Sequence, residues 1–209
     1  MASSDVWSMI AGERQALASD LGSLTDAQWE TASLCDRWAV RDVLGHMTAT
    51  AEMTPGKFFA GMIGSGFSIT KLQDKEIQEQ NEGTPADTLA RFTAIVGSTK
   101  HPPGPVDSWL GETLVHAEDI RRPLGIQHTY PPEAVTRTLD FYRKSNLIVG
   151  GKKRAARLTM RATDTDWSAG SGPEVSGPAV SLMMAVTGRQ AGLADLSGDG
   201  VATLRERMP

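Results

Sequence analysis

A single cysteine, Cys35, stands in a chain of 209 residues, so no intrachain disulfide can form. That agrees with a reducing, cytoplasmic setting. No run of apolar residues approaches the length that a membrane span needs. The first residues show no basic start followed by an apolar core, so no secretory leader is expected. Positive charge is in short supply: Lys and Arg number 21 against 25 Asp and Glu, giving a net charge of −4. The basic run Lys152-Lys153-Arg154 is the longest there is. A nucleic-acid partner is therefore not expected. Glycine is plentiful, yet no Gly-rich phosphate loop, dinucleotide fingerprint or internal repeat occurs. The His-Glu-x-x-His of a zincin and the several Glu-x-x-His pairs of a di-iron bundle are missing too.

What is present reads mainly as helix. Residues 5–22 carry Val6, Ile10, Leu17 and Leu21 at helical spacing. A second helix is expected from about Val40 to Met62, with a break or kink at Pro55-Gly56. The polar stretch Lys71 to Glu82 fits a short helix or a mobile segment. Thr84-Pro85 opens a third helix with proline at its first position, ending by Lys100. The fourth begins after the stiff loop His101-Pro-Pro-Gly-Pro105. A fifth follows Pro131-Pro132 and carries Leu139, Phe141, Tyr142, Leu147 and Ile148. After Gly150-Gly151 the texture changes. Residues 157–163 alternate like a strand and Trp167 marks a second. Residues 180–186 and 201–207 read as short helices, with a strand or turn at 193–196. The expected class is mainly α with an α+β tail: a helical bundle over 1–150 and a small α/β domain over 151–209.

The fourth helix holds the most informative pattern. Glu112 and His116 stand four residues apart, so they lie one turn apart on one face. Trp109, Leu110, Thr113, Ala117, Ile120 and Leu124 form its apolar arc. Glu112, His116 and Asp119 flank that arc, while Glu118 and Arg122 point to solvent. Pro123 and Gly125 end the helix near Arg122. On the second helix Val40, Val43, Leu44, Met47 and Ala51 share a face. Arg41, Thr48 and Glu52 share the opposite one, and His46 lies on the flank. His46, Glu112 and His116 offer three N/O ligands with a fourth position open, the pattern of a catalytic zinc site in a bundle. Asp42 and Asp119 are placed to orient the two histidines. His101 and His128 fall in Pro-rich or turn segments and read as exposed. Cys35 reads as a small buried filler; Trp38 and Trp109 as core packing; Arg121-Arg122 and Lys152–Arg154 as solvated faces.

Trp38-x-Val40-x-Asp42-Val-Leu-x-His46, then Glu112-x-x-x-His116-x-x-Asp119-x-Arg-Arg-Pro-Leu-Gly125, resembles the mycothiol-dependent maleylpyruvate isomerase family. Gly172-Pro173, Gly177-Pro-Ala-x-x-Leu182 and Gly188-Arg189 resemble its small C-terminal domain. The resemblance implies a DinB-like up-down four-helix bundle with His46, Glu112 and His116 on zinc or another divalent metal. It implies mycothiol as co-substrate, a catalytic or substrate-binding role for Arg189, and S-transfer to, or cis/trans isomerisation of, a small electrophile. A monomer or homodimer fits. A metal-dependent hydrolase on the same bundle and a non-enzymatic metal or small-molecule binder are the competing readings.

Overall fold

The computed structural model describes residues 3–147 and 149–209. Ile148, expected in the fifth helix, lies outside the described residues. The chain forms two compact units, Met1–His128 and Thr129–Pro209. The change of texture at Gly150-Gly151 sets the expected boundary later, at 150/151.

The first unit is helical. It comprises α1 (Ser3–Leu21), α2 (Asp26–Trp29), α3 (Val40–Glu52), α4 (Pro55–Gly64), α5 (Ile69–Gln80), α6 (Pro85–Ala94) and α7 (Val106–Leu124). α1 packs on α6 and α7, and α3 packs on α5, α6 and α7. The stripe Val6, Ile10, Leu17 and Leu21 turns inward on α1. Leu17, Leu21, Val43, Leu44, Met47, Phe92, Ala117 and Ile120 belong to one buried cluster. Each large apolar side chain buried there contributes roughly 1.5–3 kcal/mol.

Local chemistry sets most of the boundaries. The expected second helix is two. α3 stops at Glu52, Thr54 accepts the Lys57 N–H, and Pro55 starts α4 at its first position. The 71–82 stretch lies largely within the regular helix α5, capped by Ser68. Thr84 caps α6 with Pro85 behind it, as expected, but α6 ends at Ala94, short of Lys100. α7 runs through Pro123 to Leu124 and is closed by Gly125 in the left-handed region.

Three polar residues read as solvent-facing are buried. Thr48 bonds back to the Leu44 carbonyl. Glu118 pairs with Arg122 at 2.7 Å. Arg121 is fully buried and reaches Asp20 on α1 at 2.7 Å. In each case a partner satisfies the polar group, which is what burial requires.

The second unit contains α8 (Pro132–Tyr142), α9 (Gly151–Ala155), β1 (Thr159–Ala162), β2 (Ser168–Gly170), β3 (Glu174–Gly177), α10 (Ala179–Val186), a 3-10 turn (Gln190–Asp195) and α11 (Val201–Glu206). α8 packs on α10, which places it in this unit. α8 ends at Tyr142, and Leu147 beyond it is exposed. The sheet order is β2-β1-β3, antiparallel on one side and parallel on the other. β3 was not legible in the sequence, and the expected strand or turn at 193–196 is largely the 3-10 turn.

Candidate metal centre

The helix register of α7 brings Glu112 and His116 to one flank, and α3 supplies His46 opposite. Ligand atoms of His46, Glu112 and His116 all lie within 4.8 Å of one another. The two imidazoles meet edge to face, with ring centroids 5.1 Å apart. One Glu112 oxygen, Oε1, is buried and has no hydrogen-bond partner. A buried carboxylate oxygen left bare is costly, and a cation is the group that would satisfy it. The donor set therefore fits a divalent ion: two nitrogens and a carboxylate oxygen.

Each side chain is tuned by its surroundings. His46 is pushed down to about 3 by burial and by the charge of His116, so it stays neutral at ordinary pH. Burial raises Glu112, against the charges of His116 and Arg14 and a bond from Thr113. Burial also pushes His116 down, but bonds and charge from Asp119 and Cys35 outweigh it and hold the ring up at about 10.

Asp119 does what its position promised. Fully buried, it lies 2.9 Å from His116 Nδ1, which fixes that nitrogen as a donor and leaves Nε2 for a ligand. It also accepts the Cys35 thiol at 3.1 Å. Cys35 is thus no filler: it sits beside His116, and Cys35, His116 and Asp119 form a second group of potential ligands. Asp42 is not a partner of His46. It accepts the Ala39 N–H at the start of α3 and an Asn81 amide N–H, because α3 turns it toward α5.

The loop before α3 supplies a wall. Ser33 Oγ donates to the Trp38 carbonyl and accepts the Cys35 N–H, bracing the segment that carries both residues. The Trp38 indole lies 4.9 Å from the His46 ring and 6.3 Å from that of His116. Arg14, which the sequence reading passed over, is fully buried on α1, donates to the Ser98 carbonyl and adds its charge to Glu112. Its signal was in the sequence: it falls in the apolar stripe one turn after Ile10.

The other candidates lie elsewhere. His101 is not exposed in its loop; it is stacked between Trp7 and Trp109 at 5.5 and 5.7 Å. Trp109 thus packs on His101. His128 pairs with Glu13 at 2.9 Å and is mostly buried. Arg189 lies in the second unit, where its guanidinium donates to the Thr187 carbonyl. Its charge helps burial to lower nearby Arg154, which is half-buried and hydrogen-bonded to the Val149 and Val186 carbonyls. Lys152 and Lys153 are exposed as expected.

The first unit is a helical bundle of the DinB-like class, followed by a small mixed-sheet unit. Residues 10–101 match the family model of the mycothiol maleylpyruvate isomerase N-terminal domain. That segment carries Trp38 and His46; Glu112 and His116 lie beyond it. Two solved structures share the fold, each with 95% of this chain and 93% of the other covered. One is a histidine-to-alanine mutant of the mycothiol-dependent maleylpyruvate isomerase, with a TM-score of 0.64 and 14% identity. The other is the enzyme of that name, with a TM-score of 0.61 and 12% identity. No curated protein matches the chain.

Proposed function

We propose that this chain is a divalent-metal enzyme, with zinc the expected ion, held by His46, Glu112 and His116. The observation that carries the reading is that Glu112, with a carboxylate oxygen within 4.8 Å of ligand atoms of two imidazoles, keeps its buried Oε1 without a hydrogen-bond partner. Its co-substrate is a low-molecular-weight thiol, mycothiol by family, and its second substrate a small electrophile. The solved relatives bear the name of a mycothiol-dependent isomerase.

A cation bound there supplies a positive centre that holds a thiol as thiolate at neutral pH. The protein's part is to keep His46 neutral, to fix the His116 tautomer through Asp119, and to wall the site with Trp38. Adding the thiolate sulfur to an activated double bond makes a C–S bond and breaks the π bond, whose electron pair moves onto the activating group, to return when sulfur is expelled or to take up a proton when sulfur is kept. Expelling it after rotation gives the other geometric isomer, with no net oxidation; retaining it gives a conjugate. Arg189 is the proposed catalytic arginine, on the family resemblance alone. No helix among the described residues is long and apolar enough to cross a membrane, and a cytoplasmic enzyme is the reading that fits.

The test is elemental analysis of protein purified without chelator or a His tag, beside His116→Ala, followed by turnover with and without thiol. About one equivalent of metal, lost in the variant, is expected from a single three-ligand site. Metal absent even after it is offered overturns the reading. Turnover without thiol transfers it to a hydrolase.

A further inference from the structure

His116 has two ring nitrogens, and the centre described above uses Nε2. The other nitrogen, Nδ1, belongs to a different cluster. It lies 2.9 Å from Asp119 Oδ2 and 3.7 Å from Cys35 Sγ. Cys35 Sγ in turn lies 3.1 Å from the same Asp119 oxygen. A sulfur, a nitrogen and an oxygen thus close a triangle, drawn from the loop before α3 and from α7.

A tetrahedral ion with bonds of about 2.0–2.3 Å holds such donors about 3.4–3.6 Å apart. The Sγ–Nδ1 edge, at 3.7 Å, already matches. The two edges that meet at Asp119 are each about 0.5 Å short, as hydrogen-bonded pairs are, and they open when a cation replaces the shared protons. The backbone holds the triangle together. His116 and Asp119 stand on one helix, Ser33 Oγ accepts the Cys35 N–H at 3.0 Å, and the Trp38 N–H donates to the Cys35 carbonyl at 2.9 Å. Cys35 is half-buried, so an ion reaches it from solvent, while Asp119 is fully buried. Charge favours a divalent ion: a thiolate and a carboxylate cancel it, and burial tolerates a neutral assembly. Sulfur makes this donor set softer than that of His46, Glu112 and His116.

We infer that Cys35, His116 and Asp119 form a second metal site, which takes a thiophilic divalent ion such as cadmium. On binding, the thiol and Nδ1 protons leave, and Sγ, Nδ1 and an Asp119 oxygen each donate a lone pair to the ion. No electron is transferred. Nε2 then carries a proton, taken up as its own ion departs, so filling this site empties the other. Only that last consequence rests on the function proposed above.

The test titrates the full chain, metal-free and zinc-loaded, with cadmium chloride. The ultraviolet sulfur-to-metal charge-transfer band and the released zinc are followed. With one cysteine in the chain, the band reports on Cys35 alone. It should saturate at about one ion per chain, in the wild type and in Glu112→Gln, and be absent from Cys35→Ser. Zinc should leave the wild type in step with the band and stay in Cys35→Ser at the same cadmium level. The inference is overturned by no band, by a band that Glu112→Gln abolishes, by saturation at about half an ion per chain (one ion shared between two thiols), or by equal zinc loss from Cys35→Ser. A band from a chain that takes up no zinc keeps this site and removes the function proposed above. Zinc bound by a chain that gives no band does the reverse, so the two fail separately.

Discussion

The Leu34 N–H donates to the Asp119 carbonyl at 3.1 Å. In an unbroken helix that carbonyl would accept from residue 123. Residue 123 is proline and has no N–H to give. The proline thus frees a helix carbonyl for the loop that carries Cys35, and the same Asp119 reaches Cys35 and His116 with its side chain. Backbone and side chain of one residue tie α7 to the loop.

Pro123→Ala returns a competing N–H to α7. The loop should loosen, and Cys35 should react several-fold faster with a disulfide reagent while the thermal midpoint changes little. An unchanged labelling rate would show that the loop is held without the Leu34–Asp119 bond.

Asp119→Asn keeps the shape and removes the charge that orients His116. Loss of such an outer partner costs about 10–100-fold in metal affinity. Competition with a chromophoric chelator measures it, and an affinity equal to the wild type would sever Asp119 from the centre.

The metal-free protein should have a stability maximum shaped by the two histidines. His46 sits at about 3 in the fold against 6.5 free, so its contribution is present above pH 6.5 and is lost as pH falls toward 3. His116 sits at about 10, so its contribution is complete below pH 6.5 and is lost as pH rises through 10. Each limb has a slope of at most about 1.4 kcal/mol per pH unit. Urea denaturation across pH should show His46→Gln flattening the acid limb and His116→Gln the alkaline one.

Metal uptake at Nε2 must displace the second ring proton, which the bonds and charge of Asp119 and Cys35 at Nδ1 keep on His116 near neutral pH. Calorimetry in buffers of different ionisation enthalpy should count about one proton released per ion near neutral pH. Zero release would place the metal away from His116.

Asp20→Ala removes an ion-pair partner of the fully buried Arg121 guanidinium. Removing one side of a buried pair costs about 3 kcal/mol. The denaturation midpoint should fall accordingly, and a fall of less than a third of that would show that Arg121 finds another acceptor.

Much of this was legible in the chain itself. The 3.6-residue period fixed the inward stripe of α1 and the buried faces of α3 and α7, and Thr84-Pro85 and Gly125 marked helix ends. The four-residue spacing put Glu112 and His116 on one flank, and the three-residue spacing put Asp119 against His116. These are properties of a single helix and need no partner. Whatever depended on a second element was decided by tertiary structure. Arg121, Glu118 and Thr48 read as surface residues because a wheel shows direction and not what stands opposite. Asp42 lies one turn from His46 but turns to Asn81, which only the packing of α5 on α3 brings there. Cys35 and Trp38 border the centre because a loop folds back onto α7, held by a carbonyl that a proline left free.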